Sequence, residues 1–226
     1  GQIGGIALKS GQHLVGEHVG LTLPVSLNGG AATTTLFAAV PGNRPLLDDT
    51  VAGAPEGVAA TDALPAEIAG LNLAGNVNAI DVTTTAAFAG TGTLVIRDNV
   101  VRSALAEGVD LNLAGTGAVT LALHDNALTA TGTAVDIVET GTGSLVISRL
   151  DDNGVSGNSG GSGIVLGPAV FDSNPDLAGL QTVDGGTTVI GATGNGVGGG
   201  GLALANVQGD LHFSGNLNVF ADNGTG

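Results

Sequence analysis

Short runs of alternating apolar and polar residues recur along most of the chain, and turn-forming residues separate them. In one such run Leu121 and Leu123 flank Ala122, and the run ends at Asp125 and Asn126. Alternation with a period of two is typical of β-strands, because successive side chains of a strand point to opposite faces. The pattern therefore predicts many short strands.

The runs share a common plan, in which an aliphatic strand is followed by Asn and then by a second short apolar stretch. Intervals of 27, 27, 42 and 21 residues separate the Asn residues that mark the repeats, which are Asn99, Asn126, Asn153, Asn195 and Asn216. A strand opening of the type Gly/Ala-Val-Asp-Leu keeps the same phase at 79–82, 108–111 and 134–137. A small turn, such as Thr91-Gly92-Thr93, lies between the two strands. Three short strands and three turns in each repeat predict one coil of a solenoid.

A β-sandwich of short strands would also show regular turns. However, a sandwich does not place the same residue type at the same turn of successive repeats, so the solenoid is favoured. A single coil cannot bury its apolar side chains, whereas coils stacked about 4.8 Å apart pair every strand with its neighbours. Equivalent side chains then form columns. Asn tolerates the left-handed conformation of a tight turn, and its amide can bond to the Asn of the next coil.

A column of inward side chains is expected two residues after each Asn, at Val101, Leu128, Val155 and Val197. Residues 70–226 are predicted to form regular coils with a loop insertion near 168–184. Residues 1–70 are less regular and are expected to form the first coils with longer loops, with one helical turn from Ala63 to Ile68. We interpret residues 1–226 as a single domain and, since the chain has no Met, as a fragment of a larger protein.

These motifs resemble the pectin-lyase-like superfamily, and more specifically the β-strand-repeat surface proteins of bacteria. The resemblance rests on the Asn positions, the Asp-containing strand openings and the stretches 8–17 and 41–46. It implies an all-β fold, a right-handed parallel β-helix of about eight or nine coils with an Asn turn ladder. Because this fold hosts lyases, hydrolases, tailspikes, adhesins and passive stalks, it does not define a function.

Composition narrows the functional classes. The chain has 5 Lys and Arg against 20 Asp and Glu, a net charge of −15, which disfavours binding to nucleic acid or to an anionic membrane. It has no Cys, which excludes disulfides, Cys-ligated zinc and a catalytic thiol. No apolar run is long enough to span a bilayer.

Two sets of aspartates recur in phase with the repeat. Asp81, Asp110 and Asp136 are expected on one outer strand face, where like charges at the coil spacing repel one another. One interpretation is a metal site in which Ca²⁺ bridges the carboxylates. The other, which we favour, is a solvated acidic face that discourages sideways aggregation and needs no cofactor. The second set precedes the ladder Asn residues and is predicted to bond to turn backbone; it comprises Asp98, Asp125 and Asp152.

Candidate catalytic groups are few. Asp151 and Asp152 beside Arg149 have the composition of a glycosidase acid pair. A lyase needs a base such as Arg beside Ca²⁺-binding acids; Arg97 and Arg102 flank Asn99, but the sequence shows no acid cluster beside them. Sugar sites also use aromatic platforms, and this chain has no Trp or Tyr. We therefore predict no catalytic residues. The histidines at 13, 18, 124 and 212 lack the sequence spacing of a complete metal site and are expected at the surface.

The sequence thus favours a structural or adhesive segment of a secreted bacterial protein at the cell surface or in the extracellular matrix. Neither end of the repeat carries an amphipathic cap, so subunits could stack end to end into fibres. A glycan or another surface ligand is a further candidate partner. The alternative is a polysaccharide-acting β-helix enzyme, a lyase or a glycoside hydrolase.

Overall fold

The computed structural model describes residues 5–27, 30–49, 56–75, 77–156, 161–171, 181–183, 187–193, 195–208, 211–213 and 216–220. Within these ranges the chain forms β-strands and no helix. In chain order the strands are β1 (Ile6–Leu8), β2 (Gln12–Val15), β3 (Leu21–Leu27), β4 (Gly30–Phe37), β5 (Leu46–Asp49), β6 (Glu56–Thr61), β7 (Ala66–Ala69), β8 (Asn72–Gly75), β9 (Asn78–Thr84), β10 (Thr91–Arg97), β11 (Val100–Ala104), β12 (Val109–Leu113), β13 (Ala118–His124), β14 (Ala127–Ala130), β15 (Val135–Glu139), β16 (Ser144–Asp151), β17 (Gly154–Val155), β18 (Ile164–Leu166), β19 (Ala169–Phe171), β20 (Gln181–Val183), β21 (Thr187–Ile190), β22 (Leu202–Leu204), β23 (Val207–Gln208), β24 (Leu211–Phe213) and β25 (Asn216–Val219).

Three parallel sheets of seven strands each run along the molecule. Sheet A has the order β1-β6-β9-β12-β15-β18-β22, sheet B has the order β2-β7-β10-β13-β16-β19-β23, and sheet C has the order β5-β8-β11-β14-β17-β21-β25. Each coil contributes one strand to each sheet in turn, and every strand pairs with the equivalent strand of the next coil. This arrangement confirms the predicted parallel β-solenoid.

The core consists of aliphatic columns inside the three sheets. In sheet C the strand register aligns Leu73, Val101, Leu128, Val155 and Ile190, all at most 2% exposed. The column predicted from the Asn spacing thus passes through Val101, Leu128 and Val155. It then continues to Ile190 rather than to Val197, because the longer interval after Asn153 changes which residue reaches the sheet.

The described residues do not confirm eight or nine coils, because each sheet has seven strands. One reason is that β3 and β4 pair with each other as antiparallel strands and are not strands of a further coil. The predicted helical turn from Ala63 to Ile68 is wrong, since Ala66–Ala69 form β7 of sheet B. Near 168–184, where a loop insertion was expected, the described residues include the strands β19 and β20.

A small residue, Gly or Ala, occupies the position where neighbouring coils approach closely at the beginning of each strand of sheet A. The register places Ala79, Gly108 and Ala134 in successive coils, and a Cβ on Gly108 would lie 2.6 Å from the carbonyl oxygen of Ala134. Gly57, one coil before Ala79, is similarly crowded, at 2.8 Å from the carbonyl oxygen of Ala79. The Gly/Ala position that opens each repeat therefore reflects a tight backbone contact.

Candidate functional site

The Asn residues at the turn between sheets B and C form a buried, hydrogen-bonded column. Asn99, Asn126 and Asn153 are at most 2% exposed. The side chains are linked directly, since Nδ2 of Asn99 donates to Oδ1 of Asn126 at 3.2 Å and Nδ2 of Asn126 donates to Oδ1 of Asn153 at 3.0 Å. Each amide also donates to the backbone of the preceding coil; the acceptors are the carbonyl oxygens of Ile68, Ile96 and Leu123. The column therefore ties successive turns together.

The column continues with other residue types at both ends. Before Asn99 the position is occupied by Leu71, whose backbone N–H donates to Oδ1 of Asn99 at 3.1 Å. After Asn153 the register gives Thr188, which is 2% exposed and whose Oγ1 has no hydrogen-bond partner. Asn195 and Asn216, which the sequence assigned to this column, have exposed side chains outside it. The longer interval of 42 residues between Asn153 and Asn195 accounts for the difference.

The left-handed backbone of this turn lies one residue earlier than expected. Asp98, Asp125 and Asp152 have φ angles of 57°, 57° and 52°, whereas no Asn of the column has a positive φ. Asp shares with Asn the ability to adopt this conformation. The predicted bond to turn backbone is present at Asp152, whose Oδ1 accepts from the N–H of Thr187 at 2.6 Å. Asp98 and Asp125 instead pair with the side chains of Arg97 and His124.

Asp81, Asp110 and Asp136 form a second column, here called the acidic column, on the outer face of sheet A. The strand register pairs Asp110 with both other aspartates. Partial burial, together with the charges of Asp81, Glu107 and Asp136, raises the pKa of Asp110 to about 6, although a hydrogen bond from Asn78 opposes this shift. Burial also raises the pKa of Asp136 and, together with neighbouring carboxylates, that of Glu107. The column is thus a strip of mutually repelling, half-buried acids.

Metal-binding geometry is absent from the part of the chain that the structure describes, where no group of three or more His, Asp or Glu residues could hold an ion. Oδ1 of Asp136 is buried without a hydrogen-bond partner. Oδ1 of Asp81 accepts from the hydroxyl of Thr83 at 3.0 Å, and Oδ2 of Asp110 accepts from Nδ2 of Asn78 at 3.0 Å. The acidic column thus uses part of its oxygen acceptors within its own coils.

An open groove of about 570 Å³ runs along the outer face of sheet B. We call it the sheet B groove. Its floor includes Val95 and Ala122, and its charged or imidazole side chains come from five successive coils; they are His13, Glu67, Arg97, His124 and Arg149. Strands that pair in parallel present their outward side chains side by side, so the solenoid assembles this cluster from residues far apart in sequence.

Glu67 is the centre of an ion-pair network at one end of the groove. Its carboxylate accepts from Nε of Arg97 at 2.9 Å and contacts Nδ1 of His13 at 2.8 Å. Burial raises the pKa of Glu67, but the bonds from His13 and Arg97 outweigh it and lower the pKa below its usual range. The sequence analysis did not identify Glu67 as a site residue. Its position between Ala66 and Ile68, which point inward on a strand, could have indicated that its side chain points outward.

Arg149 and Asp151 form a second ion pair at the other end. Nε and Nη2 of Arg149 donate to the two carboxylate oxygens of Asp151 at 2.9 and 2.5 Å, and the Asp151 side chain is fully buried. Asp152 lies instead at the left-handed turn, bonded to the next coil. The structure therefore separates Asp151 and Asp152 into two structural roles rather than presenting them together as a pair of catalytic acids.

The side chains of Arg44 and Arg102 lie apart from the groove. Nη2 of Arg44 contacts Nε2 of His18 at 2.7 Å, and Nε of Arg44 donates to the carbonyl oxygen of Asp98 at 3.0 Å. Arg102 is exposed and does not line the groove. His124 is 7% exposed rather than on the surface as expected, because its ring packs beside Asp125 and Arg149. The His212 side chain lies outside the described residues.

No protein-family model, curated protein or solved structure matches this chain. The parallel β-solenoid is therefore established by its strand register, and the resemblance to the pectin-lyase-like superfamily and to bacterial surface proteins gains no support from these comparisons. The described residues include no helix with the length and apolar character needed to cross a membrane.

Proposed function

We propose that this chain is a structural, adhesive segment of a secreted bacterial protein that acts at the cell surface or in the extracellular matrix. In this proposal the solenoid is a right-handed parallel β-helix with an Asn turn ladder. The observation that carries it is the continuity of three seven-stranded parallel sheets around one aliphatic core. Such a stack resists bending because every strand between the two ends is paired on both sides, which suits a passive rod.

End-to-end stacking of subunits into fibres is part of this proposal. The final strand of sheet C, β25, exposes Leu217 and Val219, and Phe220 beside it is also exposed. Apolar side chains beside a strand edge favour addition of another strand. Electron microscopy at increasing protein concentration tests this directly. We expect filaments, which Leu217→Lys should shorten and Leu105→Lys, an exposed leucine in a middle coil, should not. Discrete monomers at every concentration would eliminate polymerisation.

For the acidic column we propose a solvated acidic face without a cofactor, rather than a Ca²⁺ bridge. A cation is not needed to relieve the repulsion, because Asp110, whose pKa is raised by partial burial and by the neighbouring carboxylates, can take up a proton instead. Thermal melting in the presence of Ca²⁺ and in the presence of a chelator distinguishes the solvated face from the Ca²⁺ bridge. An equal melting temperature supports the solvated face, and a higher melting temperature in Ca²⁺ that Asp110→Asn removes would establish the bridge.

A second candidate is a polysaccharide-acting enzyme, and the observation that favours it is the sheet B groove, where Glu67 lies among two arginines and two histidines. A screen of acidic and neutral glycans, with and without Ca²⁺, tests this function. Product formation that Glu67→Gln abolishes would establish it, provided the variant keeps the melting profile of the original protein. No product from any glycan would leave the structural role as the better account.

A further inference from the structure

We propose that Asn195 is a site of spontaneous intramolecular deamidation, which converts its side-chain amide into a carboxylate. Asn153 is followed by glycine in the same way, at Gly154, but the buried column of Asn side chains protects it from this reaction. Deamidation needs no ligand, so this modification site is independent of the function proposed above.

The reaction at an Asn-Gly pair requires only water. The backbone nitrogen of glycine attacks Cγ of the Asn side chain, the C–N bond of the side-chain amide breaks, and ammonia leaves with the proton that the glycine nitrogen gives up. The product is a five-membered succinimide ring. Water then adds to one of its two carbonyl carbons and opens the ring to Asp or to isoaspartate. Glycine favours the attack because it has no Cβ to restrict its backbone.

Asn195 and Gly196 meet the requirements of this reaction. The Asn195 side chain is exposed and forms no hydrogen bond with another residue that the structure describes. Its backbone pairs with Ala192 in both directions, at 2.9 and 3.0 Å. Neither bond restrains the two atoms that react, which are Cγ of Asn195 and the backbone nitrogen of Gly196. These atoms can therefore approach each other in the folded protein.

Asn153 and Gly154 have the same sequence but the opposite environment. The Asn153 side chain is fully buried, and its Nδ2 donates to the carbonyl oxygen of Leu123 at 2.9 Å. Its Oδ1 accepts from the backbone N–H and from Nδ2 of Asn126, at 3.3 and 3.0 Å. The attacking nitrogen is also occupied, since the N–H of Gly154 donates to the carbonyl oxygen of Asn126 at 2.7 Å. Attack requires the loss of these four bonds at a site without water, and each loss raises the barrier.

Deamidation of Asn195 changes the backbone next to the last strand of sheet C. Isoaspartate directs the main chain through Cβ and Cγ and so lengthens it by one atom between Ala192 and Val197. The N–H of Val197 donates to the carbonyl oxygen of Phe220, which follows β25 directly, at 2.9 Å. The modification therefore adds a negative charge, and in the isoaspartate form a longer backbone, beside this contact.

Peptide mapping by mass spectrometry tests the proposal. The folded protein is incubated at about pH 8 in water enriched in heavy oxygen, which marks every deamidation that occurs during the incubation. We expect Asn195 to react at least about tenfold faster than Asn153, because the bonds of the buried column must break before Asn153 can react. In urea that unfolds the chain, the two rates should become similar. The pairs at 28–29 and 223–224 lie outside the described residues and are measured on separate peptides.

Three variants complete the test. Gly196→Ala should slow the reaction at Asn195 at least about tenfold, because a Cβ hinders the attack, and Gly154→Ala should leave that rate unchanged. Asn126→Ala removes the column partner of Asn153 and should speed deamidation there without changing the rate at Asn195. Thermal melting shows whether each variant is folded, and the urea measurement on the original protein needs no folded variant. Equal rates at the two pairs in the folded protein, reaction at both pairs only in urea, or a rate at Asn195 that Gly196→Ala does not lower would each overturn the proposal.

Discussion

Oδ1 of Asn126 accepts two hydrogen bonds from Asn99, one from the backbone N–H at 3.1 Å and one from the side-chain Nδ2 at 3.2 Å. The same oxygen thus satisfies two donors of the preceding coil, both removed from water. Asn153 contacts Asn126 in the same way, at 3.3 and 3.0 Å. Because buried amide groups are costly to leave unpaired, this repeated arrangement holds the turns between sheets B and C in register.

Replacement of Asn126 by Ala is therefore expected to destabilise the protein strongly. The substitution removes the partner of two Asn99 donors and takes the side-chain donor away from the carbonyl oxygen of Ile96, whereas the carbonyl oxygen of His124 still accepts from the backbone N–H of Asp98. Each unsatisfied buried group costs about 1–3 kcal/mol, so the free energy of unfolding should fall by at least about 2 kcal/mol. Urea unfolding followed by circular dichroism measures the change.

Asn195→Ala provides the control for this prediction. Its side chain is exposed and lies outside the column, so a change within about 0.5 kcal/mol is expected. Equal effects of the two substitutions would show that the hydrogen-bonded column does not contribute to stability.

Gly108→Ala should also destabilise, for a steric reason. The added Cβ would lie 2.6 Å from the carbonyl oxygen of Ala134 in the next coil, where neither backbone can move without disturbing sheet A. Overpacking of this kind costs about 1–3 kcal/mol. At Gly154 the nearest atom to an added Cβ is 3.9 Å away, so Gly154→Ala should be neutral or stabilise by up to about 1 kcal/mol. Thermal melting of both variants tests this difference in stability. A similar decrease in melting temperature for both variants would contradict the prediction.

The sequence was sufficient to predict the solenoid because stacking places identical residues over one another, and the repeat therefore shows in the order of residues. The inward positions Val101, Leu128 and Val155 follow directly from the interval of 27 residues. Prediction was harder where the interval changes. After Asn153 the chain needs 35 residues to reach the equivalent position, Thr188. Because that residue is Thr and not Asn, the sequence does not show that it belongs to the column.

Two other features depended on three-dimensional contacts that spacing does not show. Asp98 and Asn99 both tolerate a left-handed backbone, so the sequence could not decide which of them adopts it; the structure assigns it to Asp98 because the Asn side chain is bonded inside. The sheet B groove joins His13, Glu67 and Arg97 from three coils, with intervals of 54 and 30 residues. Those intervals match no regular repeat, since the first contains the antiparallel strands β3 and β4.

Arg149→Ala is expected to destabilise by about 1.5–3 kcal/mol, the range for hydrogen bonds to charged groups. The substitution leaves the carboxylate of Asp151, which is fully buried, without the two bonds it receives from the guanidinium. Lys9→Ala, which removes an exposed positive charge, serves as the control and should have little effect. Chemical unfolding of the two variants distinguishes a structural ion pair from a general effect of net charge. Restoration of stability in Arg149→Met with Asp151→Leu would confirm that the cost came from the unpaired carboxylate.

Asp110 should make the stability of the protein fall as the pH rises. Its pKa is about 6 in the folded protein, against 3.8 for the free side chain, so the folded state binds the proton more tightly. The resulting stabilisation is fully present below about pH 4 and is lost as the pH rises through 6.

Asp110→Asn should therefore have a higher melting temperature than the original protein at pH 7.5, and the difference between the two should shrink toward pH 5. Because Asp110 is partly exposed, solvent screening limits the effect, and we expect about 2–4 °C at pH 7.5, which corresponds to roughly 1 kcal/mol. Glu67, whose pKa is lowered in the folded protein, changes the pH dependence of stability only below about pH 5, because above that pH it is ionised in both the folded and the unfolded protein. A difference for Asp110→Asn that stays constant between pH 5 and 7.5 would contradict the assignment of the raised pKa to the acidic column.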